Sequence, residues 1–229
     1  MKKAVISGDI IASTSLNDTG RAAIEVGLNE LLKKLSIDFN VFGRIIKGDY
    51  LECVVPEPEN ALRVALAIKS YVKSIASQKF AIDEKDNRFR SFNMHGIRLA
   101  IGYGELSRFD PEKGIIDGEA IYLSGRAISE ATTYNKERIV IKNTMFFVSA
   151  NEELNEEFDA LLALIDVLMG KATNRQSEVL YLKLMNQNEE TISATMNIAQ
   201  PVVNQHSTSV GWNAIEKAVV HFYNKIKES

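Results

Sequence analysis

Two Gly-Asp pairs define the chemistry that this chain could perform. Gly8-Asp9 closes the apolar run VIS, and Gly48-Asp49 stands between FGRII and YLECVV. A carboxylate at the tip of a buried strand is costly without a cation, a hydrogen-bond donor or open solvent beside it. Two carboxylates that converge bind a divalent ion such as Mg²⁺ or Mn²⁺, whose coordination is usually completed by the phosphates of a substrate. Behind Asp9, the stretch Ile10 to Ser15 offers backbone N–H groups and the hydroxyls of Ser13 and Thr14 ahead of a helix, which suits a polyphosphate. Two solvated turns would explain both pairs equally well, and spacing alone does not separate the readings.

The elements that must position these residues follow from periodicity. KAVISG is short and β-branched, a buried strand. RAAIEVGLNELLKKL puts Ile24, Leu28, Leu31, Leu32 and Leu35 on one helical face. FNVFGRII and YLECVV form two strands joined at Lys47-Gly48-Asp49, with glycine supplying the turn. ENALRVALAIKSYVKSIA is a second helix, and SQKFAIDEKDNRFRS, residues 77–91, reads as an exposed loop. MHGIRLAIGYGEL is a strand in which Gly102 and Gly104 imply a bend or a close ligand. DGEAIYLSGRAISEATTY is helical and RIVIK a further strand. The order predicts an α+β fold: a ferredoxin-like βαββαβ sheet with helices on one face, ending near residue 150. In such a sheet the first strand lies beside the hairpin, and Asp9 and Asp49 can meet.

Composition bounds the alternatives. The 229 residues are 45% hydrophobic and 25% charged with a net charge of -3, ordinary for a soluble globular protein. No apolar stretch approaches the roughly 18 residues of a spanning helix. MKKAVISGDI meets a charge too early for a signal peptide, so the expectation is a cytoplasmic protein with no membrane partner. The one cysteine, Cys53, cannot form an intrachain disulfide and is expected in the core; with three histidines it makes no zinc spacing. His95 and His221 are expected to be structural.

Residues 151–172 carry Phe158, Leu161, Leu162, Ile165 and Leu168 at helical spacing, a connecting helix. From 173 to 229 the pattern changes to short helices: about 175–185, then 190–196, a turn at Asn197-Ile198-Ala199, and QPVVNQHSTSVGW. This is helix-turn-helix spacing, with the second helix offered to a DNA major groove. Gln200, Asn204, Gln205, Ser207 and Thr208 would be its base-reading side chains. That helix contains no Lys or Arg, so DNA binding by one copy would be weak. A small bundle serving dimerisation or domain packing has the same pattern.

The strand ending in Asp9-Ile10, the Gly48-Asp49 hairpin, and AIGYGEL before DGEAIYLSGRAISEA together resemble the catalytic domain of class III nucleotide cyclases over most of residues 1–142. The resemblance implies that Asp9 and Asp49 hold metal ions around a nucleoside triphosphate. It also implies that Arg126 stabilises a transition state, with Tyr122 where the family has an asparagine. Ile45 replaces one base-selecting residue, with Arg44 and Lys47 nearby, and Ile115 occupies the second such position, close to Asp117. The family builds each site across two subunits, so a homodimer is implied. RQSEVLYL and the helix ending near Trp212 are similar to region-four helix-turn-helix domains of sigma factors. Both halves in this order resemble the SatD family of bacterial proteins. The expectation is a regulator that senses a nucleotide and a divalent ion and reads DNA. The alternative is an active Mg²⁺-dependent cyclase or related phosphoryl-chemistry enzyme with an accessory helical domain.

Overall fold

In a computed structural model, residues 2–46, 48–137 and 143–229 are described, the side chains of 78 and 132–137 excepted. The sheet begins with β1 (Lys2–Ile10), and α1 (Asp18–Phe39) follows a short 3-10 turn at Ser13–Ser15. Asn17 starts α1 by accepting the Gly20 N–H, the side-chain cap that relieves an orphan donor at a helix start. Asn40, in the left-handed region at φ 53°, ends it. β2 (Phe42–Ile46) and β3 (Tyr50–Val55) form the hairpin, with Gly48 at φ 80° in the turn. Then come α2 (Ala61–Ile75), α3 (Asn87–His95), β4 (Ile97–Asp110), β5 (Ile115–Gly118), α4 (Glu119–Glu137) and β6 (Met145–Ser149).

β1 lies in the middle. It pairs antiparallel with β3 on one side and β4 on the other, β2 extends β3, and β6 joins β4 in parallel. β5 pairs antiparallel with the far half of β4. The strand expected at 138–142 lies outside the described residues. The expected loop at 77–91 instead contains a 3-10 turn at Gln78–Phe80 and the start of α3. Asp86 caps α3 through the Arg88 N–H, and Phe89 and Phe92, three residues apart, are buried in the core. The charges dominating that stretch occupy the exposed side of the helix and hid it.

Helices cover both faces of the sheet, not one as expected. Ala4, Ile6 and Ile10 of β1 face the core shared with α1 and α2, while Val5 packs with Val54 and Ala120 on the opposite face. There α4 lies directly on β1 and β4. A Cβ at Gly102 would collide with the Ala120 carbonyl and the Ser124 N–H, so this glycine is required by the close approach of helix to strand. Ser7 and Ser124 are 2.8 Å apart across the same contact. Gly102 therefore answers to a helix and not to a ligand.

The rest of the chain is α5 (Glu152–Lys171), α6 (Asn174–Leu184), α7 (Glu189–Met196), α8 (Gln200–Ser209) and α9 (Trp212–Glu228). The two short helices expected at 175–185 and 190–196 are α6 and α7, within a residue at each end. These C-terminal helices share one hydrophobic core with the sheet. Tyr71 of α2 meets Tyr181 of α6 edge-on at 5.0 Å, and Arg63 of α2 donates to the Leu184 carbonyl and the Asn186 side chain. Phe147 of β6, Phe158 of α5 and Phe222 of α9 form an aromatic cluster with centroids 4.6–5.7 Å apart.

A polar knot is buried inside this core. Lys69 of α2, 1% exposed, donates to the carbonyls of His95 and Ile97 and to Thr144 Oγ1, and lies 3.3 Å from Asp166 of α5. Asp166 accepts from both the backbone and the hydroxyl of Thr144, each at 2.6 Å. Lys73, one turn along α2, donates to the Met169 and Gly170 carbonyls at the end of α5, where a helix favours a cation. Burial pushes the Lys73 ammonium down to about 8, and neighbouring Lys69 adds to the shift.

His95 stands against the same knot, and burial, then the Lys69 charge, push its imidazole down to about 4. Its ordinary value is near 6.5, so between pH 6.5 and 4 the unfolded chain binds more protons than the folded one. Stability from this residue is therefore fully present above 6.5 and lost as pH falls through that window. We expect the melting temperature to drop by several degrees from pH 6.5 to 4, and His95→Gln to flatten that part of the profile in a pH series of thermal melts. An unchanged profile in the variant would show that His95 titrates alike in the folded and unfolded states.

Candidate functional site

The ends of β1 and of the hairpin meet where the two Gly-Asp pairs lie. Asp9 is opposite Tyr50 in the β1–β3 register, and the Ile10 N–H donates to the Asp49 carbonyl at 3.0 Å. Asp49 Oδ2 accepts from the Ser13 hydroxyl at 2.9 Å. Ser13, Thr14 and Asp49, together with Ile10, Arg21 and Glu25, line a hollow of about 260 Å³ between the hairpin turn and the start of α1. Two serine-threonine hydroxyls, two carboxylates and a guanidinium that also pairs with Asp18 thus line one concavity.

Asp9 is beside this hollow and does not line it. Its side chain is a quarter exposed and accepts from Arg98 Nη1 at 3.1 Å, a pair placed by strand register because Asp9 and Arg98 are direct partners across β1 and β4. Burial raises the Asp9 carboxyl, Arg98 pulls it back, and the like charge of Asp49 raises it again. The two carboxylates are thus close enough to repel, and a divalent cation between them would relieve that repulsion. The donors are hard oxygens, which fit Mg²⁺ or Mn²⁺. Among the described residues no group of three or more His, Cys, Asp or Glu is placed to hold a metal, so phosphate or water oxygens would complete the coordination.

Arg98, Arg21 and Glu25 were not anticipated as site residues. Arg98 had a signal, as the one cation in the otherwise apolar run IRLAI. Arg21 and Glu25 had none beyond their position in the first two turns of a helix that follows the serine-threonine run.

Other expected site residues are occupied elsewhere. Arg44 was expected at the nucleotide base, yet its guanidinium donates twice to Glu52 on the neighbouring strand, at 2.6 and 2.9 Å, and also to the Gly114 carbonyl. Nε and Nη2 thus brace the two hairpin strands through Glu52, and Nη1 ties the hairpin to the β4–β5 turn. Asp117 accepts from the Tyr122 hydroxyl, so these two hold each other on the outer side of α4. Burial on α4 falls at Ala120, Ser124 and Ile128, a spacing of four that faces the sheet. Tyr122, 63% exposed, and Arg126 lie on the opposite side, and neither lines the hollow at Asp49. Lys47 lies outside the described residues.

At the other end of the chain, α7 and α8 are joined by Asn197 in the left-handed region at φ 51°. Gln200, Asn204, Gln205 and Thr208 are exposed on α8. Ser207 is corrected: it is 5% exposed and its hydroxyl donates to the Asn204 carbonyl, because it shares the inner face of α8 with Val203. Glu189 and Glu190 open α7, and Glu189 accepts from Lys183 at 2.9 Å. The surface around α8 is therefore amide- and hydroxyl-rich and carries little net positive charge.

No family model and no curated protein matches this chain. Solved structures do show similarity. Two structures of a bacterial light-regulated adenylyl cyclase each have a TM-score of 0.44, at 12% and 11% identity over 64% and 65% of this chain. The crystal structure of the guanylyl cyclase Cya2 has a TM-score of 0.37 at 12% identity, covering 59% of this chain and 77% of that one. The chain spans 43% of the length of each light-regulated cyclase. No helix among the described residues is long and apolar enough to cross a membrane.

The Arg44 geometry separates a structural role from a ligand role. Arg44→Ala leaves Glu52, 13% exposed at its side chain, without its cation. We expect a loss of about 1–3 kcal/mol of stability in urea denaturation, with any nucleotide-dependent stabilisation intact. Loss of nucleotide response at unchanged stability would return Arg44 to the binding site.

Proposed function

We infer that residues 2–149 are a nucleotide cyclase-like domain that binds a nucleoside triphosphate with a divalent ion, and that the chain works as a cytoplasmic bacterial regulator. The observation that carries this reading is the hollow at Asp49. The Asp49 and Glu25 carboxylates, two hydroxyls and the Arg21 guanidinium share one concavity at the mouth of a helix, and a further carboxylate, Asp9, lies beside it. Support for the domain type comes from the sheet order β2-β3-β1-β4, all antiparallel, which is the order of a ferredoxin-like βαββαβ unit. The GDI start at Gly8, the KGD hairpin at Lys47, the DGEA helix start at Asp117 and the RQ pair at Arg175, in that order, support placement in the SatD family.

Asp9 and Asp49 would hold the ion, Mg²⁺ or Mn²⁺, and the ion would neutralise phosphate charge. Ser13 and Thr14 would hydrogen-bond phosphate oxygens, and Arg21 would pair with one. Binding is favoured over turnover because Tyr122 stands where the cyclase family has an asparagine and its hydroxyl is held by Asp117. Arg126 and Tyr122 stand on the far side of α4 and would reach such a site from a second copy, which is the form a homodimer would take. An active cyclase is thus the lesser reading.

For the C-terminal part we propose weak DNA reading by Gln200, Asn204, Gln205 and Thr208 of α8. The support is the α7–turn–α8 spacing and the exposure of these four side chains. With little positive charge nearby, two copies on paired half-sites would be needed for useful affinity.

Thermal unfolding against nucleoside triphosphates with Mg²⁺ or Mn²⁺ tests the first part. A ligand at a hundred times its dissociation constant adds about 2.7 kcal/mol, and we expect a metal-dependent rise in melting temperature that Asp9→Asn/Asp49→Asn abolishes. No rise with any triphosphate would sink the reading. Fluorescence anisotropy with duplex DNA at low salt tests the second. Binding should weaken severalfold in Asn204→Ala/Gln205→Ala, and equal binding by wild type and variant would remove α8 from the interface.

A further inference from the structure

Helix α5 presents a stripe that no other described residue of the chain buries. Glu156, Ala160, Ala163, Leu164, Val167 and Lys171 recur at three- and four-residue intervals and so share one face. Leu164 is 69% and Val167 56% exposed, although the inner face of the same helix is packed into the core. The stripe has an order: acid at its start, apolar residues at its centre, base at its end. Glu156 and Lys171 stand about 22 Å apart along the axis at 1.5 Å per residue. Neither makes an ion pair among the described residues, whereas the neighbouring Glu157 is taken by His221 and Lys225 of α9.

We propose that α5 is a self-association surface on which two copies of this chain pair antiparallel about a two-fold axis. In an isologous contact, residue i meets j and j meets i. With the axis between Ala163 and Leu164, Glu156 of one copy falls opposite Lys171 of the other, Ala160 opposite Val167, and Ala163 opposite Leu164. Both unpaired charges then find opposite charges, and each large apolar side chain is set against an alanine, which lets the helices approach closely. A parallel pairing would set Glu156 against Glu156 and Lys171 against Lys171, and is disfavoured. This surface is separate from the α4 face, through which a second copy would bring Arg126 to Asp9 and Asp49 under the function proposed above.

Sedimentation equilibrium of the full chain over a concentration series tests the pairing. Wild type should dimerise, and Val167→Glu should lower the association constant at least tenfold. Glu156→Lys and Lys171→Glu should each weaken it severalfold, and the double variant Glu156→Lys/Lys171→Glu should regain most of the loss, because the swapped charges still face each other. All three positions altered on α5 are on the outside of a well-packed helix, and circular dichroism melts close to wild type would confirm folding. A wild-type chain that stays monomeric overturns the proposal. A dimer that tolerates Val167→Glu but is broken by Tyr122→Glu also overturns it, and leaves the α4 contact standing.

Discussion

The fold depends on an ammonium group with no access to water. Lys69 is buried in the middle of α2, and an unpaired charge there would cost several kcal/mol. It persists because four separate segments supply oxygens to it: the end of α3, the start of β4, the residue before β6 and the inner face of α5. Burial alone would raise the Asp166 carboxyl, but Lys69 and the two Thr144 bonds outweigh it and hold it below its usual range. Hydrophobic packing can seat helices in many rotations about their axes. A buried cation with directional partners admits one. The knot therefore fixes the rotation of α5 on α2 and the height at which β6 enters beside β4.

From that fixed point the rest follows through contact. Lys73 anchors the end of α5 one turn further along α2, and α6 begins three residues after α5 ends. α6 then lies against α2, with Arg63 reaching the carbonyl that closes it and Asn174 donating to the Ala76 carbonyl at the end of α2. The C-terminal helices are thus not a module hung on a linker. Any change at the sheet that shifts α2 is transmitted to α6 and through it to α7 and α8, which pack against it. The strands stop at Ser149 and the short helices begin at Asn174, while the core continues across both points.

The order of the elements was readable because it rests on local pattern. The short β-branched run of β1, the Gly48 turn and the apolar face of α1 each act within a few residues. What was not readable depended on partners distant in sequence. Gly102 looked like a bend until α4 was seen lying on it, and Arg44 looked like a ligand until Glu52 and Gly114 were seen around it. Lys69 gave no sign of burial, since a lysine on a helix is usually solvated and its acceptors are 26 to 97 residues away. The meeting of Asp49 with Ser13 and Thr14 was legible, because hairpin and strand neighbour each other in the sheet order. The diversion of Asp9 to Arg98 was not, because register is set by the whole pairing.

The question raised by a carboxylate at the tip of β1 has two partial answers in this arrangement. Arg98 supplies a cation from within the chain, yet Asp9 remains raised, because one guanidinium does not offset both burial and a second carboxylate. A solvated turn needs no second acid beside it. The protein instead keeps two acids near each other at the closed end of a hairpin, with hydroxyls beside one and a half-shielded position for the other. Folding alone gains nothing from that repulsion. Under the function proposed above, a divalent ion held between the two carboxylates would cancel that like charge, so binding would stabilise the folded chain.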